Sequence, residues 1–311
     1  MTKKNLLSIY DLSVEEVKLL FSQAFYLKSK YKYFDILKGK TLGLIFEKPS
    51  TRTMVSFAVA MIQLGGVPLL LNNKNLQRKR GESIHDTSIV LSRYLNIIMM
   101  RAFKHSDVEE FAKYSTVPVV NGLTDYEHPC QILADIMTIM ELHRIQAVEA
   151  LRDIKIVYIG DSNNISNSLL AISAILDLNF TLIAPEEYLP EKKILSKAFE
   201  YTSLSKTEIK ISSDINATEN ADVIYTDVWT SMGFESEANK RKKSLKYYQV
   251  NDELLKKVSP NCVVLHCLPA VRGEEITSEV MSKHENSIFT QAENRLHIQK
   301  AILLHLLNIK Y

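Results

Sequence analysis

At 311 residues the chain is long enough for two domains, each with its own core. Its hydrophobic fraction of 46% and charged fraction of 24% are those of a globular protein, and a formal net charge of +2 supplies no global field for nucleic acid or a membrane surface. Cys130, Cys262 and Cys267 have neither metal-ligand spacing nor the makings of a disulfide framework, which fits a reducing cytoplasm.

The opening segment MTKKNLLSIYDLS is too weakly apolar for a signal peptide, and no apolar run reaches the length of a membrane span. Ser13 and Glu16 have the spacing of a capping box for a helix running to about Tyr31. Short apolar runs then alternate with amphipathic stretches: strands over 40–46, 67–71, 96–100 and 117–120, helices over 51–64, 83–93, 107–114 and 129–143. The polar stretch His143–Asp153 reads as a domain boundary. The alternation restarts with a strand at 154–159, a helix at 165–177 and strands at 180–184, 222–226 and 262–265. Residues 231–248 are polar and patternless and read as a long loop. A last helix, about 291–309, presents Ala301, Leu303, Leu304, Leu306 and Leu307. The alternation predicts an α/β protein of two doubly wound parallel sheets.

Such sheets bind ligands beyond the carboxyl ends of their strands, so polar residues just after strands are the candidates. The most informative segment is FEKPSTRTMVSFAVAMIQLGG, from Phe46 to Gly66. Pro49 breaks the first strand, and Ser50, Thr51, Arg52 and Thr53 stand where a helix begins. Free backbone N–H groups, the positive helix end and a guanidinium together suit an anion. A single hydroxyl there would be an N-cap; several beside an arginine favour anion binding. The P-loop spacing is absent.

Arg101 follows Ile97–Met100, and a charge at the end of a buried strand needs a partner: an internal ion pair, or an oxyanion. His128 and Gln131 flank Pro129 and Cys130 at a helix start, where the plainer reading is Pro129 near N1 with an incidental histidine. GDSNNISNS, from Gly160, lacks the G-x-G-x-x-G of a dinucleotide site; Asn163 and Asn164 are either caps or donors to a carboxylate. Asp227 follows a strand beside the only tryptophan, Trp229, as a loop cap or as a partner for an ammonium. Cys267 is either a buried apolar cysteine or a polarised thiol, and His266 cannot activate it because neighbours in a strand point to opposite faces.

Taken together, these residues resemble the aspartate/ornithine carbamoyltransferase family, nearest its ornithine-specific branch, over nearly the whole chain. The resemblance implies a carbamoyl-phosphate domain of residues 1–145 joined by the C-terminal helix 290–311, which packs back on it, and an ornithine domain of residues 146–289. It implies that Ser50, Thr51, Arg52, Thr53, Arg101, His128, Pro129, Cys130, Gln131, Cys267, Leu268 and Arg295 bind carbamoyl phosphate, with Gln77 lent to a neighbouring subunit. Asn164, Asp227, Ser231 and Met232 would hold ornithine, and Arg101, Cys267 and Asp227 would act in catalysis. The implied reaction carries the carbamoyl group to the δ-amine of L-ornithine in a cytoplasmic homotrimer or larger assembly, with no cofactor and no metal. Acceptors such as putrescine or acetylornithine, and a catalytically silent member, are the alternatives. Three positions depart from the family pattern. Met54 stands where a second arginine is usual, the loop Gln77–Glu82 is unusually basic, and Phe234 follows the Ser-Met-Gly triplet.

Overall fold

The computed structural model describes residues 3–30, 33–72, 81–202, 208–230 and 235–309. Gln77, Ser231 and Met232, with Phe234 and most of the basic loop, lie outside these residues. The chain forms two compact units, one of residues 1–134 and 294–311, the other of residues 135–293. The division falls inside a helix, earlier than the polar stretch at 143–153.

The first unit opens on α1 (Val14–Lys30), whose capping box is formed: Glu16 N–H donates to Ser13 Oγ at 3.2 Å and Ser13 N–H to Glu16 Oε2 at 2.9 Å. Then come β1 (Thr41–Phe46), α2 (Thr51–Gln63), β2 (Val67–Asn72), α3 (Ile84–Tyr94), β3 (Ile97–Arg101), α4 (His105–Tyr114), β4 (Val119–Leu123) and the start of α5 (Pro129–Leu142). The sheet is parallel with order β2-β1-β3-β4. β1 and β3 are the inner strands, and β3 is buried at every position, which is why Ile-Ile-Met-Met shows no alternation. Pro68 sits on the edge strand β2, where its missing N–H costs no ladder bond. α2 ends at Gly65, whose φ of +89° suits glycine alone; a Cβ there would meet the Phe34 carbonyl oxygen at 2.6 Å.

The second unit takes up the rest of α5, then β5 (Lys155–Ile159), α6 (Asn164–Leu176), β6 (Asn179–Ile183), α7 (Lys192–Thr202), β7 (Ile209–Ser212) and β8 (Val223–Thr226). α8 (Ala238–Leu245), α9 (Asp252–Leu255), β9 (Val263–His266), α10 (Ser278–Lys283) and the first part of α11 (Glu285–Leu306) follow, the rest of α11 from Asn294 belonging to the first unit. Its five strands are parallel in the order β7-β6-β5-β8-β9. α6 is buried on nearly every face, consistent with its apolar run from Leu169 to Leu176. The expected loop over 231–248 is corrected in its described part. α8 is a helix there because Arg241 and Leu245, one turn apart, are both buried. α7 and β7 were not legible: α7 buries only Ile194 and Ala198, and β7 is a half-exposed edge strand. Among the described residues no helix is long and apolar enough to cross a membrane.

Candidate active site

In each sheet the strand order reverses once, between β1 and β3 and between β5 and β8. These are the switch points, where adjacent connections leave in opposite directions and open a crevice. Ser50–Thr53, Arg101, Asn163, Asn164 and Asp227 stand at them, while His128–Gln131 follow β4, Cys267 and Leu268 follow β9, and Arg295 comes from α11.

In the first unit Ser50 caps α2, its Oγ accepting from Thr53 N–H at 3.3 Å. The cap reading of Ser50 is therefore realised, and its hydroxyl proton is still available to a ligand. Thr51 and Arg52 open the helix. Thr53 is fully buried, and two guanidiniums converge on its Oγ1: Arg295 Nη2 donates at 2.6 Å and Arg101 Nη1 at 3.4 Å. Arg101 closes β3, and Arg295 comes from α11, so residues 194 apart in sequence meet at one hydroxyl. Arg52 Nε is buried with no hydrogen-bond partner.

β4 helps to shape this end of the sheet. Its pairing with β3 slips between Met100 and Arg101, so that Met100 faces Asn121 and Arg101 faces Leu123. Gly122 is the extra residue of this bulge, and a Cβ there would meet Met99 Sδ at 2.2 Å. Such bulges re-aim side chains beside functional sites.

His128 precedes α5 and is buried. Burial, then the charges of Arg295, Arg101 and Arg52, hold its imidazole pKa well below the usual histidine range. It is a neutral ring amid positive charge, able to donate one hydrogen bond without adding a further cation. Pro129 is the first residue of α5, as its fixed φ favours. Gln131 is buried in the first turn of the same helix. Cys130 points elsewhere: its thiol donates to the Asn121 carbonyl at 3.6 Å, and burial pushes its pKa up to about 12. Any ligand contact of Cys130 is thus through its backbone.

In the second unit Asn163 caps α6, accepting from Ile165 and Ser166 N–H, while its Nδ2 donates to Asp227 Oδ2 at 2.9 Å. Asn164 is the first residue of that helix. Asp227 follows β8; its Oδ1 accepts from Val228 N–H at 2.8 Å and from Cys267 Sγ at 2.9 Å. The carboxylate predicted to meet an ammonium is thus oriented by three donors from separate segments.

The turn carrying Cys267 and Leu268 follows β9 and is wired from below. His266 is buried against Glu275, with Nε2 and Oε1 2.9 Å apart. Leu268 N–H donates to His266 Nδ1 at 2.9 Å, which leaves the ring proton on Nε2, facing Glu275. Glu275 Oε1 also accepts from Val271 N–H at 2.6 Å. The imidazole serves the turn's backbone, and the thiol serves Asp227. Leu268 has a φ of +58°. Ligand atoms of Asp227, His266 and Cys267 lie within 4.8 Å of one another, a cluster that sequence spacing did not show. The protein's own hydrogen bonds engage all three and brace the turn.

Sequence reading missed a further pair. Arg241, in α8, donates through Nη1 to Asp161 Oδ2 and through Nε to Glu237 Oε2 at 3.1 Å, and lies 5.0 Å over the Tyr188 ring. Burial lifts the Asp161 carboxyl to about 7, although the Arg241 guanidinium beside it pulls the other way. Asp161 stood at a strand end and could have been weighed; nothing in the lysine-rich run around Arg241 marked that one cation as buried.

The sequence matches two family models, the carbamoyl-P binding domain of aspartate/ornithine carbamoyltransferase over residues 4–141 and its Asp/Orn binding domain over 152–306. The chain belongs to the aspartate/ornithine carbamoyltransferase family. An ornithine carbamoyltransferase of Methanosphaera stadtmanae is 50% identical over 97% of this chain and 99% of that one. The anabolic ornithine carbamoyltransferase of Pyrococcus furiosus is 46% identical over 96% and 95%. Among solved structures, the anabolic ornithine carbamoyltransferase of Campylobacter jejuni superposes with a TM-score of 0.93 at 38% identity, over 98% of this chain and 99% of that one. The carbamoyl-P model spans Thr53, Arg101 and His128, and the Asp/Orn model spans Asp227, Cys267 and also Arg295.

Proposed function

We propose that the protein transfers the carbamoyl group of carbamoyl phosphate to the δ-amine of L-ornithine, giving L-citrulline and phosphate. The observation that carries this reading is the convergence of Arg101 and Arg295 on Thr53 at the start of α2, beside a histidine held neutral. Similarity to proteins named ornithine carbamoyltransferase supports the acceptor.

Ser50, Thr51, Arg52, the α2 N-terminus and Arg101 hold the phosphate dianion. The Thr53 hydroxyl accepts from two guanidiniums and so has its own proton to donate. With Arg295 and neutral His128 it donates to the carbamoyl oxygen as that becomes an oxyanion; Gln131 and the backbone around Pro129, Cys130 and Leu268 bind the carbamoyl end. Preorganised donors of this kind are worth about 3–4 kcal/mol each. The neutral δ-nitrogen attacks the carbonyl carbon, the carbon–oxygen bond to phosphate breaks, and the departing phosphate takes the amine proton. Cys267 and Asp227 steer the amine into line, while Asn164, with Ser231 and Met232, selects the α-amino and carboxylate groups.

The same reading makes Gln77 a residue lent to a neighbour's phosphate site, and therefore requires a closed homo-oligomer, a trimer at least. The half-exposed Val67, Leu69 and Leu70 of edge strand β2, with Val55 and Ile62 of α2, give an apolar face for a second copy. The work is cytoplasmic and serves arginine biosynthesis or arginine catabolism, and similarity to relatives named anabolic supports biosynthesis. Citrulline formation with the acceptor varied among L-ornithine, putrescine, N-acetylornithine and aspartate tests the reading. Strong preference for ornithine supports it, preference for another acceptor leaves only the phosphate half, and absence of turnover removes both.

A further inference from the structure

Behind the Cys267 turn runs a buried polar chain that the proposed mechanism does not use. Asp135, in α5, is fully buried. Its Oδ1 accepts from Gln291 Nε2 at 2.7 Å and its Oδ2 from Tyr225 Oη at 2.9 Å. Gln291, in α11 and also fully buried, turns its other end to the backbone: Oε1 accepts from His266 N–H at 2.9 Å. His266 is the residue before Cys267. Tyr225 lies in β8, two residues before Asp227. One carboxylate is therefore tied to both strand ends that carry the Asp227–Cys267 contact.

The carboxylate has a chemical logic. Its neighbours along the helix, Ile132, Leu133, Ala134, Ile136 and Met137, are buried and apolar, and an apolar side chain at 135 would avoid burying an acid. A glutamine amide fits a site in either of two orientations. Both oxygens of Asp135 accept, from Gln291 Nε2 and from Tyr225 Oη, and this fixes the Gln291 NH2 toward Asp135 and the Gln291 oxygen toward the His266 N–H. Flipping that amide would set two donors face to face at the foot of the Cys267 turn.

We propose that Asp135 is a positioning residue for the acceptor half of the site: through Gln291 it fixes the His266 backbone, and so the placement of the Cys267–Leu268 turn against Asp227. The inference rests on the carbamoyl-transfer reading and adds to it a residue that touches no substrate.

The test compares Asp135→Leu, Gln291→Met, their double variant and Asp135→Asn in the full-length protein. Thermal melts establish that each is folded, steady-state kinetics give kcat and the ornithine KM, and calorimetry with inorganic phosphate reports the other half-site. Removing either partner leaves the turn unfixed, so kcat/KM for ornithine falls about 10- to 100-fold. Phosphate affinity stays within about twofold. The double variant is no worse than Gln291→Met alone, because Asp135 acts through Gln291. Asp135→Asn keeps an oxygen for Gln291 and turns its NH2 to the Tyr225 oxygen, and stays within about threefold of the native protein. Ornithine kinetics within about twofold in folded Asp135→Leu would overturn the proposal. So would losses that multiply in the double variant, or a parallel fall in phosphate affinity. If Asp135→Leu does not fold, Gln291→Met and Asp135→Asn decide, since only the first carries the acceptor defect. Failure of the native protein to turn over ornithine sinks the underlying reading instead and is seen before any variant is made.

Discussion

The hydroxyl of Thr53 joins the two arginines assigned to the phosphate half, so Thr53→Val is the sharpest single perturbation of that half. Valine keeps the shape of a fully buried side chain and removes only the oxygen. The 2.6 Å bond from Arg295 is short and charge-assisted, of a kind worth about 1.5–3 kcal/mol, whereas the 3.4 Å bond from Arg101 lies near the limit of a hydrogen bond and adds little. Losing the first therefore corresponds to roughly 10- to 150-fold in kcat/KM for carbamoyl phosphate, before counting the lost hydroxyl proton. The assay is citrulline formation with ornithine saturating and carbamoyl phosphate varied, alongside an unfolding curve. Thr53→Ser keeps the oxygen and should stay within a few-fold. A Thr53→Val enzyme that is folded and within about threefold of the native rate would mean that the arginines do not need this anchor, and the reasoning behind the phosphate half would fail.

Three further outcomes follow from the site. His128 has a depressed pKa in the folded protein, so its contribution to stability is present above the unfolded value of about 6.5 and is lost as pH falls below it, by at most about 1.4 kcal/mol per pH unit. His128→Asn should lose that part of the acid sensitivity in urea melts at pH 7.5 and 5.5, and an unchanged difference between the two would contradict the neutral ring. Arg241→Leu strands Asp161 in a buried site and should destabilise the protein by about 3 kcal/mol, with Asp161→Asn in the same chain recovering more than half; equal melting of single and double variants would dismiss the pair. Cys267→Ser retains a donor to Asp227 and should keep most activity, while Cys267→Ala should lose roughly 10-fold or more in kcat/KM for ornithine; indistinguishable serine and alanine enzymes would refute a steering role for the thiol.

The legible part of this protein is the part in which one segment states its own chemistry. Ser50–Thr53 could be read because a strand, a proline, hydroxyls, an arginine and an amphipathic helix follow one another within a few residues, and the central strands because full burial leaves continuous apolar runs. Residues that act at a distance were hidden. Arg241 sits in a lysine-rich run whose buried member is chosen by Leu245 packing one turn away, Asp135 sits in a helix that is apolar at most positions, and Glu275 sits in a turn. Each is buried only because of a partner 9 to 156 residues off: His266 for Glu275, Asp161 for Arg241 and Gln291 for Asp135. The short, half-exposed β7 was missed for the opposite reason: it makes too few apolar demands to leave a pattern.

That division follows from how the two sheets are wound. A parallel strand can deliver only the residues just past its carboxyl end, so each switch point collects a few short segments whose own sequences carry the recognisable chemistry. Such turns have little internal structure and must be held from behind. In the first unit the bracing reuses the charged residues themselves, Arg295 and Arg101 on Thr53. In the second the cluster is thinner, a thiol and one carboxylate, and its bracing is delegated to buried neighbours: Asn163 on Asp227, Glu275 on His266, and Asp135 through Gln291 on the His266 backbone. Conservative changes in the first unit should therefore strike substrate contacts directly. In the second unit, residues that never meet the acceptor should prove nearly as sensitive as those that do.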